Sequence, residues 1–400
     1  MIWRSFLTAV LVTAFASRAP AQEPVRYAVR VDDPTLKIYH VRVEVPAQGD
    51  TTYLSLPAWT PGHYKIENYV RYVRNFAASD GRLPLRWDKL DKDTWRIASG
   101  GAATVQVSFD YAADTLGLSF SLLRDDFGFF NGTNLFPYPE MDAGYDFPAE
   151  LTLELPDGWR VATELEETAD PFVFRARDYH QLVDNPTFIG HFAIDSVQVD
   201  GVWTRLAVYP APYLRNPARE MALDALRKIA ATIHGMFGGP PPYDRYTTLV
   251  YLDVGDFMFL AGLEHAESQL DVMPAVIFEQ PRFSFSSYLF SLLAHEYYHA
   301  WNVKRVRPAG LWPYEYDREQ FTPLLWVAEG ITDYYGNVVL VRSELWTPDL
   351  FWLKVREAIQ NVETEPAHAA VEDASLEAWI EPTFIDPYIY YDQGGLLGLL

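Results

Sequence analysis

The sequence contains no cysteine among its 400 residues. This absence excludes disulfide bonds, a cysteine nucleophile, thiolate metal ligands and lipid attachment through an N-terminal cysteine. A protein without such links depends on the burial of its core for stability. About 380 residues after a leader segment are enough to form two such cores.

Basic residues are also scarce. The chain has 32 lysines and arginines against 54 aspartates and glutamates, which gives a formal net charge of −22. This charge disfavours nucleic acids and anionic membrane surfaces as partners. It is compatible with an amine-bearing substrate, and equally with simple solubility outside the cytoplasm. We therefore expect no nucleic-acid partner.

Long apolar runs are missing beyond the first 21 residues, so no later segment qualifies as a transmembrane helix. The first 21 residues begin with a positive charge at Arg4 and continue with an apolar stretch from Phe6 to Ala16. They end with a small-residue cleavage site from Ala19 to Ala21. This pattern predicts a signal peptide and an exported protein, periplasmic or extracellular, with no further membrane contact. A membrane anchor is the alternative.

From Val25 to about Val199 the pattern is mainly that of β-strands. Short runs of alternating apolar and polar residues are separated by Gly, Pro, Asn and Asp turns. Examples are the runs 41–45, 104–109 and 151–155. The aromatic content of 15% and the 28 prolines agree with a β-rich, loop-rich region. We predict an antiparallel β-sandwich domain over residues 22–204.

The second half changes to helical periodicity. Apolar residues recur at helical spacing from Ala218 to Phe237, and the Gly-Gly-Pro-Pro-Pro run after them ends this helix. The pattern then predicts strands over 247–254 and 262–270 and a helix over 348–362. We assign residues 205–400 to a second domain. Its uncapped apolar end, 394–400, predicts the start of a helix and a domain that is truncated at its C-terminal side.

The most informative segment is Ala294–Ala300, which contains the pattern His-Glu-x-x-His. Residues four apart share one face of a helix, so His295 and His299 can direct their imidazoles at one metal ion. Glu296 can then take a proton from a metal-activated water. Serines 284 and 286 are candidate N-caps of this helix. The pattern predicts a catalytic zinc site.

A catalytic zinc site needs a third protein ligand and one open position. Glu329 is the best candidate, because it lies in an apolar segment of helical character where an unpaired charge would be costly. Asp333 is four residues further on and therefore on the same face. It can accept the outer N–H of a ligating histidine and fix its tautomer.

The motif His-Glu-x-x-His followed downstream by Glu-x-x-x-Asp resembles the gluzincin zinc metallopeptidases. The sequence from His295 to Pro308 resembles that of their glycyl aminopeptidase family. The segment 56–64, Leu-Pro-Ala-Trp-Thr-Pro-Gly-His-Tyr, does so as well. The segment Ala-Gly-Leu-Glu-His-Ala-Glu-Ser at 261–268 resembles the family segment that recognises a free amino end. The resemblance implies a mainly α, thermolysin-like catalytic domain.

The resemblance also implies further roles. Glu264 would bind the substrate ammonium, and Tyr391, or else Tyr390, would donate a hydrogen bond to the oxyanion. It implies one Zn²⁺ per chain and a preference for small N-terminal residues such as Gly or Ala. Two features depart from the family: Gln393 replaces its usual lysine, and no sequence for its PDZ-type domain follows the catalytic part.

Three functions remain open at this level. The leading one is an exported zinc aminopeptidase acting on peptides with a free N-terminus. A zinc endopeptidase would use the same metal site without the ammonium contact. A non-catalytic binding protein built on the sandwich domain is the third. Of the other histidines, His265 lacks helical spacing to the motif, and we expect it to be structural or to support a ligand.

Overall fold

The computed structural model describes residues 23–255, 260–279, 283–380 and 388–400, with the backbone alone for 283–286. The predicted signal peptide lies outside the described residues. Among those that are described, no helix is long and apolar enough to cross a membrane. The chain forms a β-rich region followed by a mainly helical region, as predicted.

The first region contains fifteen strands. They are β1 Val25–Arg30, β2 Ile38–Pro46, β3 Thr51–Ser55, β4 Val73–Ser79, β5 Trp87–Lys89, β6 Thr94–Ala98, β7 Thr104–Ala112, β8 Leu122–Arg124, β9 Phe127–Phe130, β10 Tyr138–Pro139, β11 Ala149–Glu154, β12 Arg160–Ala162, β13 Glu166–Glu167, β14 Val173–Ala176 and β15 Thr187–Gly190. Two short helices, α1 Gly132–Leu135 and α2 Tyr179–Val183, interrupt them.

These strands form a seven-stranded sheet, β13-β14-β11-β1-β2-β7-β4, and two four-stranded sheets, β10-β3-β6-β5 and β12-β15-β9-β8. Pairing is antiparallel except between β1 and β11, which run parallel and depart from the predicted antiparallel pattern. Alternate residues of β2 and β7 are buried, as a sheet with one covered face requires. Phe76 of β4 stacks on Trp95 of β6 at 4.5 Å between ring centroids, which joins two of the sheets in one core.

The described residues of the second region form five strands and seven helices. They are β16 Ala193–Val199, β17 Val202–Tyr209, α3 Ala218–Phe237, β18 Arg245–Asp253, β19 Ala261–Glu264, β20 Ser268–Pro274, α4 Val276–Glu279, α5 Phe283–Tyr298, α6 Ile331–Arg342, α7 Pro348–Thr364, α8 Val371–Glu377 and α9 Ile389–Leu399. A π-helical turn, Trp326–Gly330, leads directly into α6.

The strands of this region form one mixed sheet in the order β16-β17-β18-β20-β19. β17, β18 and β20 are parallel, whereas β16 and β19 are antiparallel to their neighbours. The expected domain division at 204/205 falls inside β17, and the pairing of β16 and β17 with β18 groups both strands with the second region. This pairing favours a division near Gly190.

Several predicted elements need correction. The single strand expected over 262–270 is a hairpin, in which β19 and β20 flank a turn. α5 begins at or before Phe283, so Ser284 and Ser286 lie inside the helix and are not its caps. The helix expected to start at the apolar end of the chain begins earlier, at Ile389.

Candidate active site

α5 carries the central motif on its buried C-terminal turn. His295 and Glu296 lie in the helix, and His299 follows one residue after its end, with its backbone N–H still bonded to the carbonyl of His295 at 3.3 Å. Helical spacing is therefore kept across the whole motif. The side chains of His299 and Glu296 are buried, and that of His295 is 14% exposed.

The outer nitrogens of both rings are held by acceptors. Nδ1 of His295 lies 2.6 Å from Oδ1 of Asp333, and Nδ1 of His299 lies 2.7 Å from the carbonyl oxygen of Asn302. A carbonyl oxygen and a carboxylate accept hydrogen bonds, so in neutral rings both Nδ1 atoms carry the proton. Both Nε2 atoms then present lone pairs, and they lie 2.9 Å apart.

Glu329 adds a third electron-pair donor beside the two Nε2 atoms. It lies on the π-helical turn, is buried, and places Oε2 3.2 Å from Nε2 of His299 and 3.5 Å from Nε2 of His295. Such turns often occur at functional sites. Three converging electron-pair donors fit a bound cation, and two imidazoles with one carboxylate form a donor set that suits zinc.

The electrostatics of the pocket also favour positive charge. Burial opposes protonation of His295, but Asp333 and Glu329 more than offset it and raise the pKa of His295 well above its usual value. A cation, whether a proton or a metal ion, is therefore stabilised here. Asp333 thus has the contact that the sequence suggested for it.

Glu296 also lies near the two histidines: one potential ligand atom from each of His295, Glu296 and His299 lies within 4.8 Å of the other two. Its Oε2 has no hydrogen-bond partner among the described residues. Burial raises the pKa of Glu296 well above its usual value, and the nearby Asp271, Glu264 and Glu329 add to the effect. A buried carboxyl group with raised pKa and a free oxygen is suited to carrying a proton. Gly262 of β19 makes this fit possible, because a Cβ there would overlap the carboxylate.

Glu264 lies at the end of β19, the edge strand, with its side chain almost fully buried. No described group donates a hydrogen bond to its Oε1, and the nearest cation is Nζ of Lys304 at 3.8 Å. A buried carboxylate oxygen without a donor is costly unless a partner arrives from outside the chain. An ammonium ligand that reached this oxygen would supply the missing donor.

A charged cluster lies behind Glu264. Oδ1 of Asp184 is 3.0 Å from both Nζ of Lys304 and Nδ1 of His265, and its Oδ2 accepts from the backbone N–H of Ala266 at 2.9 Å. Burial opposes the charge of Asp184, but Lys304 and His265 hold its pKa well below the usual range. The hydrogen bond of the His265 ring goes to Asp184, and none of its described contacts is with His295 or His299.

The two candidate tyrosines lie on α9, close to His295. The ring of Tyr391 is 6.1 Å from that of His295 between centroids, and the ring of Tyr390 is 4.9 Å from that of Tyr391. Burial raises the pKa of both phenols, and Glu329 adds to it, so both stay protonated and can donate. Tyr390 is fully buried and Tyr391 is partly accessible, which favours Tyr391 as the group that meets a substrate.

Sequence reasoning missed three supporting groups. The hydroxyl of Tyr64 donates to Oε1 of Glu329 at 3.0 Å. The amide of Asn302 donates to the carbonyls of Val327 and Ala328 and so ties the end of the motif to the turn that carries Glu329. Lys304 was not singled out either. All three lie inside the segments that carried the family resemblance, which was the available signal.

Two family models match the chain. The Peptidase M61 N-terminal domain matches residues 26–191, and the M61 glycyl aminopeptidase domain matches residues 288–397. The chain belongs to the M61 glycyl aminopeptidase family. None of the curated proteins matches it significantly.

Two solved structures are similar to this M61 chain. An aminopeptidase N family protein from Idiomarina loihiensis shares 26% identity and superposes with a TM-score of 0.85. The alignment covers 94% of this chain and 65% of that protein, so the chain spans less than two thirds of its length. A mutant M1 zinc metallopeptidase from Deinococcus radiodurans shares 15% identity with a TM-score of 0.54, over 94% of this chain and 81% of that one. The latter shows similarity of fold alone.

Proposed function

We propose that this protein is an exported zinc-dependent aminopeptidase that removes small N-terminal residues from peptides. The observation that carries the proposal is the convergence of the Nε2 atoms of His295 and His299 with Oε2 of Glu329, with both Nδ1 protons directed elsewhere. This arrangement fits a divalent cation bound by three protein ligands with a position left for water.

A bound zinc ion supplies Lewis acidity, which lowers the pKa of water and polarises the peptide carbonyl. Within this setting Glu296 removes the proton of the attacking water through its free carboxylate oxygen and later delivers it to the leaving amine. The Tyr391 hydroxyl donates a hydrogen bond to the oxygen that becomes negative as the carbonyl is attacked.

Substrate binding is proposed along β19. Among the described strands it forms one edge of its sheet, so its outer backbone groups can pair with an extended peptide. Glu264 ends this strand and receives the substrate ammonium at its unpaired oxygen. Binding of a charged amine at a fixed distance from the metal site limits cleavage to the first peptide bond.

The preference for Gly or Ala follows the function for which the family is named, and the exported location follows the N-terminal pattern of residues 1–21. A test is a panel of aminoacyl amides assayed with the zinc-loaded chain before and after chelation. We expect turnover of the Gly and Ala amides, its loss with chelator, and its return with stoichiometric zinc.

The two alternatives give different results in the same assay. A zinc endopeptidase would cleave internal bonds of peptides whose N-terminus is blocked. Its activity would be lost with chelator, and it would leave the aminoacyl amides intact. A binding protein built on the sandwich domain would contain no stoichiometric zinc and show no chelator-sensitive hydrolysis.

A further inference from the structure

A loop of the β-rich region reaches the active site of the helical region. It runs from Trp59 to Tyr64, between β3 and β4. The indole Nε1 of Trp59 donates to the carbonyl of Glu315 at 2.8 Å, and its ring lies 4.9 Å from that of Trp379. The backbone N–H of Ala58 bonds to the carbonyl of Tyr316 at 2.7 Å. The loop is therefore anchored on the second region.

The end of this loop contacts the carboxylate of Glu329. Tyr64 donates its hydroxyl to Oε1 at 3.0 Å, while the other oxygen, Oε2, faces the two histidines. A ligand carboxylate with one oxygen engaged in this way has its rotation fixed and the second oxygen left for the cation.

The middle of the loop contacts the carboxylate of Glu264. Gly62 has φ +94°, and a Cβ at this position would lie 2.7 Å from Cδ of Glu264. A side chain here would therefore push the Glu264 carboxylate out of its place. The same short loop thus bounds both the metal-facing carboxylate and the carboxylate proposed to bind the substrate amine.

We propose that the loop Trp59–Tyr64 forms a wall of the active site, in which Tyr64 positions Glu329 for metal binding and Gly62 positions Glu264 for amine binding. This inference rests on the proposed function. The β-rich region makes two separate contributions: the hydrogen bond from Tyr64 to Glu329, and the absence of a side chain at Gly62, which leaves the Glu264 carboxylate its place. Both contributions can be removed singly.

The first arm measures zinc affinity by competition with a chelator in the full chain. Tyr64→Phe should weaken zinc binding by roughly 10–100-fold, the range for loss of a group that orients a ligand. Tyr69→Phe is the matched control, because the Tyr69 hydroxyl bonds to Thr60 of the same loop at 2.7 Å and does not bond to Glu329. It should leave zinc affinity unchanged within about twofold.

Equal zinc affinity in wild type and Tyr64→Phe would overturn the metal part of the inference. Equal losses in both tyrosine variants would also overturn it, because the effect would then arise from the loop's stability. Failure of the wild-type chain to bind zinc would contradict the proposed function itself. The failure of the proposed function is thus distinguishable from the failure of the inference about the loop.

The second arm compares Gly62→Ala with Gly49→Ala on free-amine substrates. Gly49 has φ +80° and open space where a Cβ would lie, so an alanine there carries the same backbone strain without the collision. Gly62→Ala should raise KM by about tenfold or more with zinc affinity unchanged, whereas Gly49→Ala should alter neither. An unchanged KM in Gly62→Ala, in a wild type that discriminates amines, would overturn this part.

Discussion

At the scale of single residues, the two buried carboxylates nearest the histidines have different surroundings. Glu329 has one oxygen fixed by Tyr64 and the other directed at both imidazoles. Glu296 has an oxygen with no hydrogen-bond partner in the described part of the chain. These surroundings support the proposed roles, metal binding for Glu329 and proton transfer for Glu296.

Replacing Glu296 with Gln should therefore keep zinc and remove turnover. The three ligands stay in place while the proton carrier is lost, so kcat should fall by about 10²–10⁴-fold. Zinc content by elemental analysis and kcat on a Gly amide are the two measurements. A variant that retained most of the wild-type kcat would show that Glu296 is not the base.

Replacing Glu329 or Asp333 should act on the metal itself. Glu329→Ala leaves two histidines, which do not form a catalytic zinc site, so zinc affinity should fall sharply. Asp333→Asn keeps the ligands and weakens the support of His295, and a loss of roughly 10–100-fold is expected. Full zinc occupancy of Glu329→Ala under chelator competition would contradict its assignment as a ligand.

Residues of this site can be predicted from the sequence where their spacing matches the period of a helix. The four-residue spacing of His295 and His299 predicts a shared helix face, which the structure bears out. Tyr64 could not be found in this way, because it is 265 positions away from Glu329 and tyrosines are abundant, with 25 in the chain. Its contact depends on how the loop lies on the other region, and no local pattern carries that information.

At the scale of elements, α9 packs against the π-helical turn through glycines. A Cβ at Gly394 would lie 2.5 Å from the carbonyl oxygen of Trp326 and 3.0 Å from Cα of Gly330. This close approach sets the distance between Tyr391 on the helix and Glu329 on the turn. The apolar run 394–400 predicts the start of a helix, but only the folded structure shows which backbone its glycines pack against.

Gly394→Ala should therefore destabilise the protein, whereas Gly395→Ala should not. The first forces the two backbones apart, with an expected loss of about 1–3 kcal/mol in the free energy of unfolding and a lower kcat. At Gly395 a Cβ would meet the carbonyl oxygen of Gly330 at 3.6 Å, an ordinary contact, and the alanine should stabilise the helix by about 0.5–1 kcal/mol. Urea unfolding of both variants is the measurement, and equal stabilities would refute the close packing.

The hairpin of β19 and β20 is a second feature that could not be predicted from the sequence. The sequence predicts one strand over 262–270, because the residues of the turn after Glu264 include no glycine, proline or asparagine to signal it. The hairpin places Gly262 against Glu296 and Glu264 at the strand end. The two functional positions of this segment therefore depend on a turn that its sequence does not signal.

At the scale of the whole molecule, the two regions share buried charges. Asp184 follows α2 of the first region and is paired with His265 and Lys304 of the second. This cluster supports the segment that carries Glu264. Composition correctly predicted a β-rich part and a helical part, but the division at 204/205 could not be placed because β16 and β17 look the same as the preceding strands.

Asp184→Asn should destabilise the protein near neutral pH. Removing one partner of a buried pair leaves Lys304 with only the more distant Glu264 carboxylate, at 3.8 Å, and a loss of about 3–5 kcal/mol is expected. The pKa of Asp184 is lowered in the folded protein, so its contribution is complete above the unfolded value near 3.9 and declines as the pH falls below it. Denaturant unfolding should show a difference from wild type that is constant from pH 7 to about pH 5 and narrows below about pH 4. A difference independent of pH would contradict the ionised pairing.

The most direct test of the account is amine discrimination by the zinc-loaded chain. The ratio of kcat/KM for a free glycyl peptide to that for its N-acetylated form should be large in the wild type. In Glu264→Ala it should fall by an amount equivalent to about 2–4 kcal/mol, with zinc content unchanged, because the partner of the substrate ammonium is gone. Equal turnover of the free and acetylated peptides by the wild type would contradict the aminopeptidase assignment.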